Sequence, residues 1–202
     1  MAWYDFFSNF YDGSLEGLYR DARVSARDAL ELGAGQRILD APTGTGQSIP
    51  LLANAVGPDG LVIGLDRSRG MLRRARERVA RESLTNVRLE EADLFTLDST
   101  TLGGPFDRLH VFLGLSTLDK ADEAFERLWA ALVPGGRCAI VDVHAERLSF
   151  QGRMVNLIAR ADIRRRSWEP LEKRATGFSR VELPSKKQVG GTLFLAVGDK
   201  PR

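Results

Sequence analysis

The sequence predicts an α/β fold: a mostly parallel, seven-stranded sheet with helices on both faces, ending in an antiparallel C-terminal strand pair. Short β-like runs alternate with helical periodicity between residues 37 and 143, a glycine-rich turn follows the first run directly, and the alternation breaks at both ends of the chain. Repeated strand–helix units of this kind make parallel sheets buried on both sides.

Each element rests on its own pattern. The first eleven residues are crowded with aromatics (Trp3, Tyr4, Phe6, Phe7, Phe10, Tyr11) and read as an amphipathic entry segment. From Ser14 to Leu32, apolar residues recur at helical spacing and Gly33 and Gly35 end the run. Arg37 to Ala41 reads as a strand, Gln47 to Val56 as a helix and Leu61 to Leu65 as the second strand. Ser68 caps a basic helix through Ser83, with Met71, Leu72, Ala75 and Val79 on one face. Strands at Asn86 to Glu90 and Asp107 to Leu113, a helix at Ala121 to Leu132 and a strand at Arg137 to Val143 complete the alternation. Phe150 to Arg165 is expected to be one amphipathic helix and Ser167 to Arg174 to be irregular around Pro170. Phe178 to Leu183 and Thr192 to Val197 read as two strands joined through Gly190-Gly191.

With 202 residues, 43% of them apolar and 28% charged, the chain has the balance of a globular domain with a sizeable core. We expect one domain: an N-terminal helical cap over 1–36, a ligand-binding core over 37–145, a helical acceptor cap over 146–176 and a C-terminal hairpin over 177–202. A net charge of +2 with interspersed signs makes no case for a nucleic-acid partner, and no apolar stretch is long enough for stable membrane insertion. One cysteine, Cys138, inside an apolar run excludes an intramolecular disulfide. With no leader pattern at Met1, the expected compartment is the cytoplasm. A homodimer stays open.

The chemistry concentrates at the carboxyl ends of the first strands. Asp40-Ala41-Pro42-Thr43-Gly44-Thr45-Gly46 turns from a buried strand into a helix, and its small residues let a ligand approach the backbone. Asp66 ends the second strand twenty residues after Gly46, where a carboxylate can accept hydrogen bonds from both hydroxyls of a ribose. A nicotinamide enzyme would share both features, but Ile49 stands where its glycine turn normally continues to a third small residue.

Four segments in order resemble the class I S-adenosylmethionine-dependent methyltransferases, in particular the small-molecule branch that includes ubiquinone-biosynthesis enzymes. They are Ile38-Leu39-Asp40 through Gly46, Gly64-Leu65-Asp66-Arg67-Ser68-Arg69-Gly70-Met71-Leu72, Glu91-Ala92-Asp93-Leu94, and Leu132-Val133-Pro134-Gly135-Gly136. The resemblance spans Arg37 to Asp142 and implies a Rossmann-like sheet and S-adenosylmethionine as cofactor. It implies that Gly44 and Gly46 approach the cofactor's amino-acid part, Asp66 the ribose, Met71 the adenine face and Asp93 the adenine amino group. Asp40, Ala41, Thr43, Arg67 and Leu94 are the further candidate cofactor contacts. Pro42 and Thr43 depart from the family's usual glycine and small residue.

Transfer of methyl from a sulfonium needs alignment more than side-chain chemistry, although a hydroxyl acceptor of high pKa needs a base. Of two histidines, His110 lies within a strand, whereas His144 falls just beyond the fifth strand's carboxyl end, on the same side as Asp142. His144 is the candidate base and Asp142 its orienting partner. Tyr4, Tyr11, Arg153 and Asn156 are the candidate acceptor contacts, and no metal is expected. The expected reaction is therefore O-methylation of a small molecule such as a sugar, polyketide or phenol. An N- or C-methyltransferase and a non-catalytic cofactor-binding protein are the alternatives.

Overall fold

The computed structural model describes residues 17–184 and 190–202. Helix α1 (Arg20–Ala29) leads into β1 (Arg37–Asp40), α2 (Ile49–Val56), β2 (Leu61–Asp66), α3 (Arg69–Arg81), β3 (Val87–Glu91) and β4 (Phe106–Phe112). Then come α4 (Ala121–Ala130), β5 (Leu132–His144), α5 (Phe150–Ala159), α6 (Glu169–Arg174), β6 (Thr176–Glu182) and β7 (Thr192–Asp199). The strands form one seven-stranded sheet in the order β3-β2-β1-β4-β5-β7-β6. β1 to β5 are mutually parallel, and β7 slots antiparallel between β5 and β6. Strand order reverses between β1 and β4, which opens a crevice at their carboxyl ends.

Alternation along each strand divides the core into two layers. Ile38, Val62 and Val141 face Ala26 of α1, Leu30 at its C-terminal cap and Leu52 of α2. Their chain neighbours Leu39, Ile63 and Ile140 face Phe125 and Leu128 of α4 and Leu171 of α6. Each fully buried Leu, Ile or Phe of these layers contributes roughly 1.5–3 kcal/mol of apolar transfer. Cys138 is fully buried among them, and burial pushes its thiol far above the ordinary range, which leaves it inert.

The first helix, expected from Ser14 to Leu32, is found at Arg20–Ala29, several other ends shift by one or two residues, and three further elements differ in kind or extent. The helix expected to run to Arg165 stops at Ala159, because Arg160 adopts φ 49° and Asn156 captures the chain beyond it. Its carbonyl accepts from Ala161 N and its side-chain Oδ1 from Ile163 N, each at 3.1 Å. The segment expected to be irregular around Pro170 contains α6, since proline in a first turn gives up a donor that has no intrahelical partner anyway. β5 begins at Leu132 rather than Arg137, its extension pairing with Phe106 across an irregularity in register. Among the described residues no helix is long and apolar enough to cross a membrane.

Candidate active site

The turn after β1 is drawn over the end of β2: Thr43 N donates to Leu65 O at 2.7 Å, and Gly46 N to Thr43 O at 3.0 Å. Gly44 and Gly46 both carry positive φ, +57° and +75°. A Cβ at Gly46 would lie 3.0 Å from that of Ala75, so this glycine also sets how closely α3 packs. At Gly44 nothing stands within 4 Å, and the open space is the cavity itself. Pro42 rests on Gly114, where a Cβ would come within 2.3 Å of the proline Cδ. The proline thus closes the turn against the loop after β4.

Asp66 holds the two strand ends together. Its Oδ2 accepts from Gly44 N and its Oδ1 from Ser68 N, both at 2.9 Å. Burial raises its pKa above the ordinary carboxylate value; the two backbone donors, Ser68 first, and the charge of Arg67 work in the other direction. Each oxygen retains capacity for a second hydrogen bond, and Asp66 lines the cavity. Ser68 caps α3 by accepting from Met71 N at 3.3 Å, which sets the Met71 side chain in the cavity wall. Asp93 Oδ1 accepts from Phe95 N at 2.9 Å, an Asx turn that fixes the loop after β3 beside Leu94.

Asp40 is buried and linked on both sides. Thr43 Oγ1 donates to its Oδ2 at 2.5 Å, and its Oδ1 lies 2.7 Å from His110 Nδ1 on the neighbouring strand. His110 stacks on Phe112, and the Arg23 guanidinium lies 5.1 Å from the centre of the Phe112 ring. Arg23 also donates to Gln47 Oε1. The segment from the end of β4 onward adds Phe112, Leu113, Thr117 and Leu118 to the cavity lining, an apolar stretch apart from the threonine.

One cavity therefore brings together Asp40, Thr43, Gly44 and Asp66 with Arg67, Met71, Asp93 and Leu94. Ala41 and Gly46 sit behind it as buried backbone supports. Arg23, Gln47 and Phe112 were missed by sequence reasoning. A signal for Arg23 existed: it occupies a position on the apolar stripe of α1 between Tyr19 and Ala26, where a charge needs a reason.

Other expected contacts are not brought to this cavity. Asp142 does not orient His144, because its carboxylate is taken up elsewhere. Ser116 N and Oγ donate to it at 2.9 and 2.7 Å, and Val143 N at 2.9 Å. Burial raises its pKa, opposed first by those Ser116 bonds. His144 Nδ1 instead faces Arg165 O at 3.3 Å, its ring meets Trp168 edge-on at 4.8 Å, and it is not among the residues that line the cavity. Arg153 is exposed, and Asn156 is occupied in ending its own helix. Tyr4 and Tyr11 lie outside the described residues.

The donor set fits an adenosylated amino acid. A carboxylate with spare lone pairs suits a ribose diol, apolar Met71 and Leu94 with the Asp93 carboxylate suit adenine, and Arg23 and Asp40 in the same lining suit a zwitterion. Comparison with known proteins agrees. A methyltransferase-domain family model matches residues 32–176. The ubiquinone/menaquinone biosynthesis C-methyltransferase of Methylococcus capsulatus is 31% identical over 138 residues, covering 65% of this chain and 54% of that protein. The chain spans about half the length of the curated relatives it matches. Among solved structures, an S-adenosylmethionine-dependent methyltransferase from Aquifex aeolicus superimposes with TM-score 0.66 at 20% identity, covering 98% of both chains. The N-methyltransferase NodS from Bradyrhizobium japonicum, solved with S-adenosylhomocysteine, gives TM-score 0.73 at 17% identity over 95% of this chain and 91% of its own. With its glycine turn, its acidic residue after β2 and the family match over most of its length, this chain belongs to the class I S-adenosylmethionine-dependent methyltransferases.

Proposed function

We propose that this chain transfers methyl from S-adenosylmethionine to a small-molecule acceptor whose nucleophile forms without a protein base. The carrying observation is the cavity at the carboxyl ends of β1, β2 and β4, whose lining holds the Asp66 carboxylate, the open side of Gly44 and apolar Phe112, Leu113 and Leu118. When bound, S-adenosylmethionine supplies an already activated methyl group. Asp66 accepts from the ribose hydroxyls, Asp93 from the adenine amino group, and Met71 and Leu94 sandwich the ring. Arg23 attracts the carboxylate of the amino-acid end, with Asp40 and the Gly44 backbone beside it. Phe112, Leu113 and Leu118 exclude water from the acceptor side and hold a flat apolar molecule in line.

The acceptor assignment follows from what lines that side. Among the described residues no histidine lines the cavity, and its carboxylates Asp40, Asp66 and Asp93 are given to the cofactor in this reading, which leaves none of them for the proton of a hydroxyl of high pKa. A ring carbon made nucleophilic by a neighbouring ionised hydroxyl needs none, and C-methylation is the reaction named for the Methylococcus capsulatus relative. His144→Ala should accordingly leave turnover within about threefold, whereas a loss of about a hundredfold would make it the base of an O-methyltransferase.

Calorimetric titration with S-adenosylmethionine, S-adenosylhomocysteine and nicotinamide dinucleotide tests the cofactor reading, with affinity expected for the first two alone. Labelled methyl transfer to a panel of quinols, phenols and amines tests the acceptor. Binding with no transfer to any of them would leave a non-catalytic cofactor-binding protein.

A further inference from the structure

Helix α5 carries an apolar face that the described residues leave open to solvent. Phe150, Met154, Leu157 and Ile158 stand at positions i, i+4, i+7 and i+8, which share one side of a helix. They are 81%, 40%, 72% and 39% exposed. The orientation of the helix is set from its opposite side. Gly152 is buried there, and a Cβ on it would come within 2.9 Å of Gly190 O and 3.4 Å of both Ile163 and Leu148 side chains. Turning the apolar face inward would push this close contact apart.

Charge favours one kind of occupant. From Glu146 to Arg166 the chain holds six arginines against two acidic residues, a net +4, whereas the whole chain carries +2. Arg147 and Arg153 are exposed, and Arg153 flanks the apolar face at helical spacing. A short amphipathic helix with bulky apolar side chains outward and arginines at its margin suits a bilayer interface, where the side chains enter the acyl boundary and guanidinium groups meet lipid phosphates.

Position adds a use for such docking. α5 follows the carboxyl end of β5, the end of the sheet where the cavity lies. The segment after it is tied to the cavity wall: Asp162 N donates to Ser116 O at 2.8 Å, and the Arg165 guanidinium donates to Leu118 O and, at 3.2 Å, to Asp119 O. We propose that α5 is an interfacial helix that docks this domain on an anionic phospholipid surface through Phe150, Met154, Leu157 and Ile158, with the cavity beside the headgroups. The docking stands apart from the methyl-transfer reading; only its use, access for a lipid-dissolved acceptor, rests on that reading.

Co-flotation of the full chain, without cofactor or acceptor, with phosphatidylcholine vesicles and with vesicles containing about 30% phosphatidylglycerol tests it. Binding to the anionic vesicles should exceed binding to the neutral ones by about tenfold and weaken with salt. The double variant Phe150→Ser/Leu157→Ser should lose about tenfold of it, with an unchanged circular dichroism spectrum and unchanged S-adenosylmethionine affinity. Equal binding by wild type and variant, or none by either, would overturn the proposal. So would sedimentation showing that the wild type self-associates and the variant does not, since a second copy would then cover the face. Failure of S-adenosylmethionine binding in the wild type would count against the methyl-transfer reading and leave the vesicle result standing.

Discussion

Asp66→Asn should weaken S-adenosylmethionine binding by roughly 10- to 150-fold, the equivalent of losing about 1.5–3 kcal/mol of hydrogen bonding to a charged acceptor. The amide offers one acceptor oxygen where the carboxylate offers two. Its NH2 group would also oppose either Gly44 N or Ser68 N, both of which donate to Asp66 at 2.9 Å. Stability should change little, because the stranded backbone donor is offset by removal of a buried charge. Calorimetry reads the affinity and a thermal melt the fold; undiminished affinity would remove Asp66 from the site. The pH dependence carries a second signature. Since burial raises the Asp66 pKa above 3.8, the folded chain takes up this proton before the unfolded chain does. Protonation therefore adds stability at this residue, fully present below the unfolded pKa and lost as pH rises through the folded one. Cofactor affinity runs the other way, falling as pH drops through the raised pKa because an acceptor becomes a donor. The difference between wild type and Asp66→Asn isolates both trends from those of other carboxylates.

Asp142→Ala should cost about 3–5 kcal/mol of stability and lower the melting temperature by roughly 10 °C. The side chain is 1% exposed and accepts from Ser116 N, Ser116 Oγ and Val143 N. Alanine strands all three donors in a site that water does not reach. Asp142→Asn should recover part of the loss, since it keeps one acceptor and removes the buried charge. Thermal unfolding checks the pair. Residual activity in Asp142→Ala should follow the folded fraction, because Asp142 itself does not line the cavity. An unchanged melt with an altered pH profile of turnover would instead return Asp142 to a catalytic partnership with His144.

The sheet was legible because its signals are local. Val62-Ile63 and Ile140-Val141 are apolar on both faces, the run that a parallel strand buried on both sides uses, and the flanking turns and helices separate it from a buried helix. The cofactor side was legible for a similar reason. Asp40, Gly44 and Asp66 carry their roles in short segments around strand ends, and the parallel register that sets Asp40 beside Gly64 follows from the fold class. The end of α5 was not legible, since the apolar spacing continues to Ile163 while the Asn156 side chain diverts the backbone. The turn residue Pro42 read as a departure whose counterpart, Gly114, lies more than seventy residues away.

Sequence alone determined the strand and helix alternation, the glycine turn, the acidic residue after β2 and hence the family, because period, turn chemistry and spacing act over a few residues. Tertiary structure decided which side chains meet. It brought Arg23 of α1 over Phe112 of β4, spent the Asp142 carboxylate on Ser116 and turned His144 toward Arg165. The reason is physical: the partner of a buried polar group is whichever donor or acceptor the packing of distant elements delivers to it, and position along the chain carries no record of that distance.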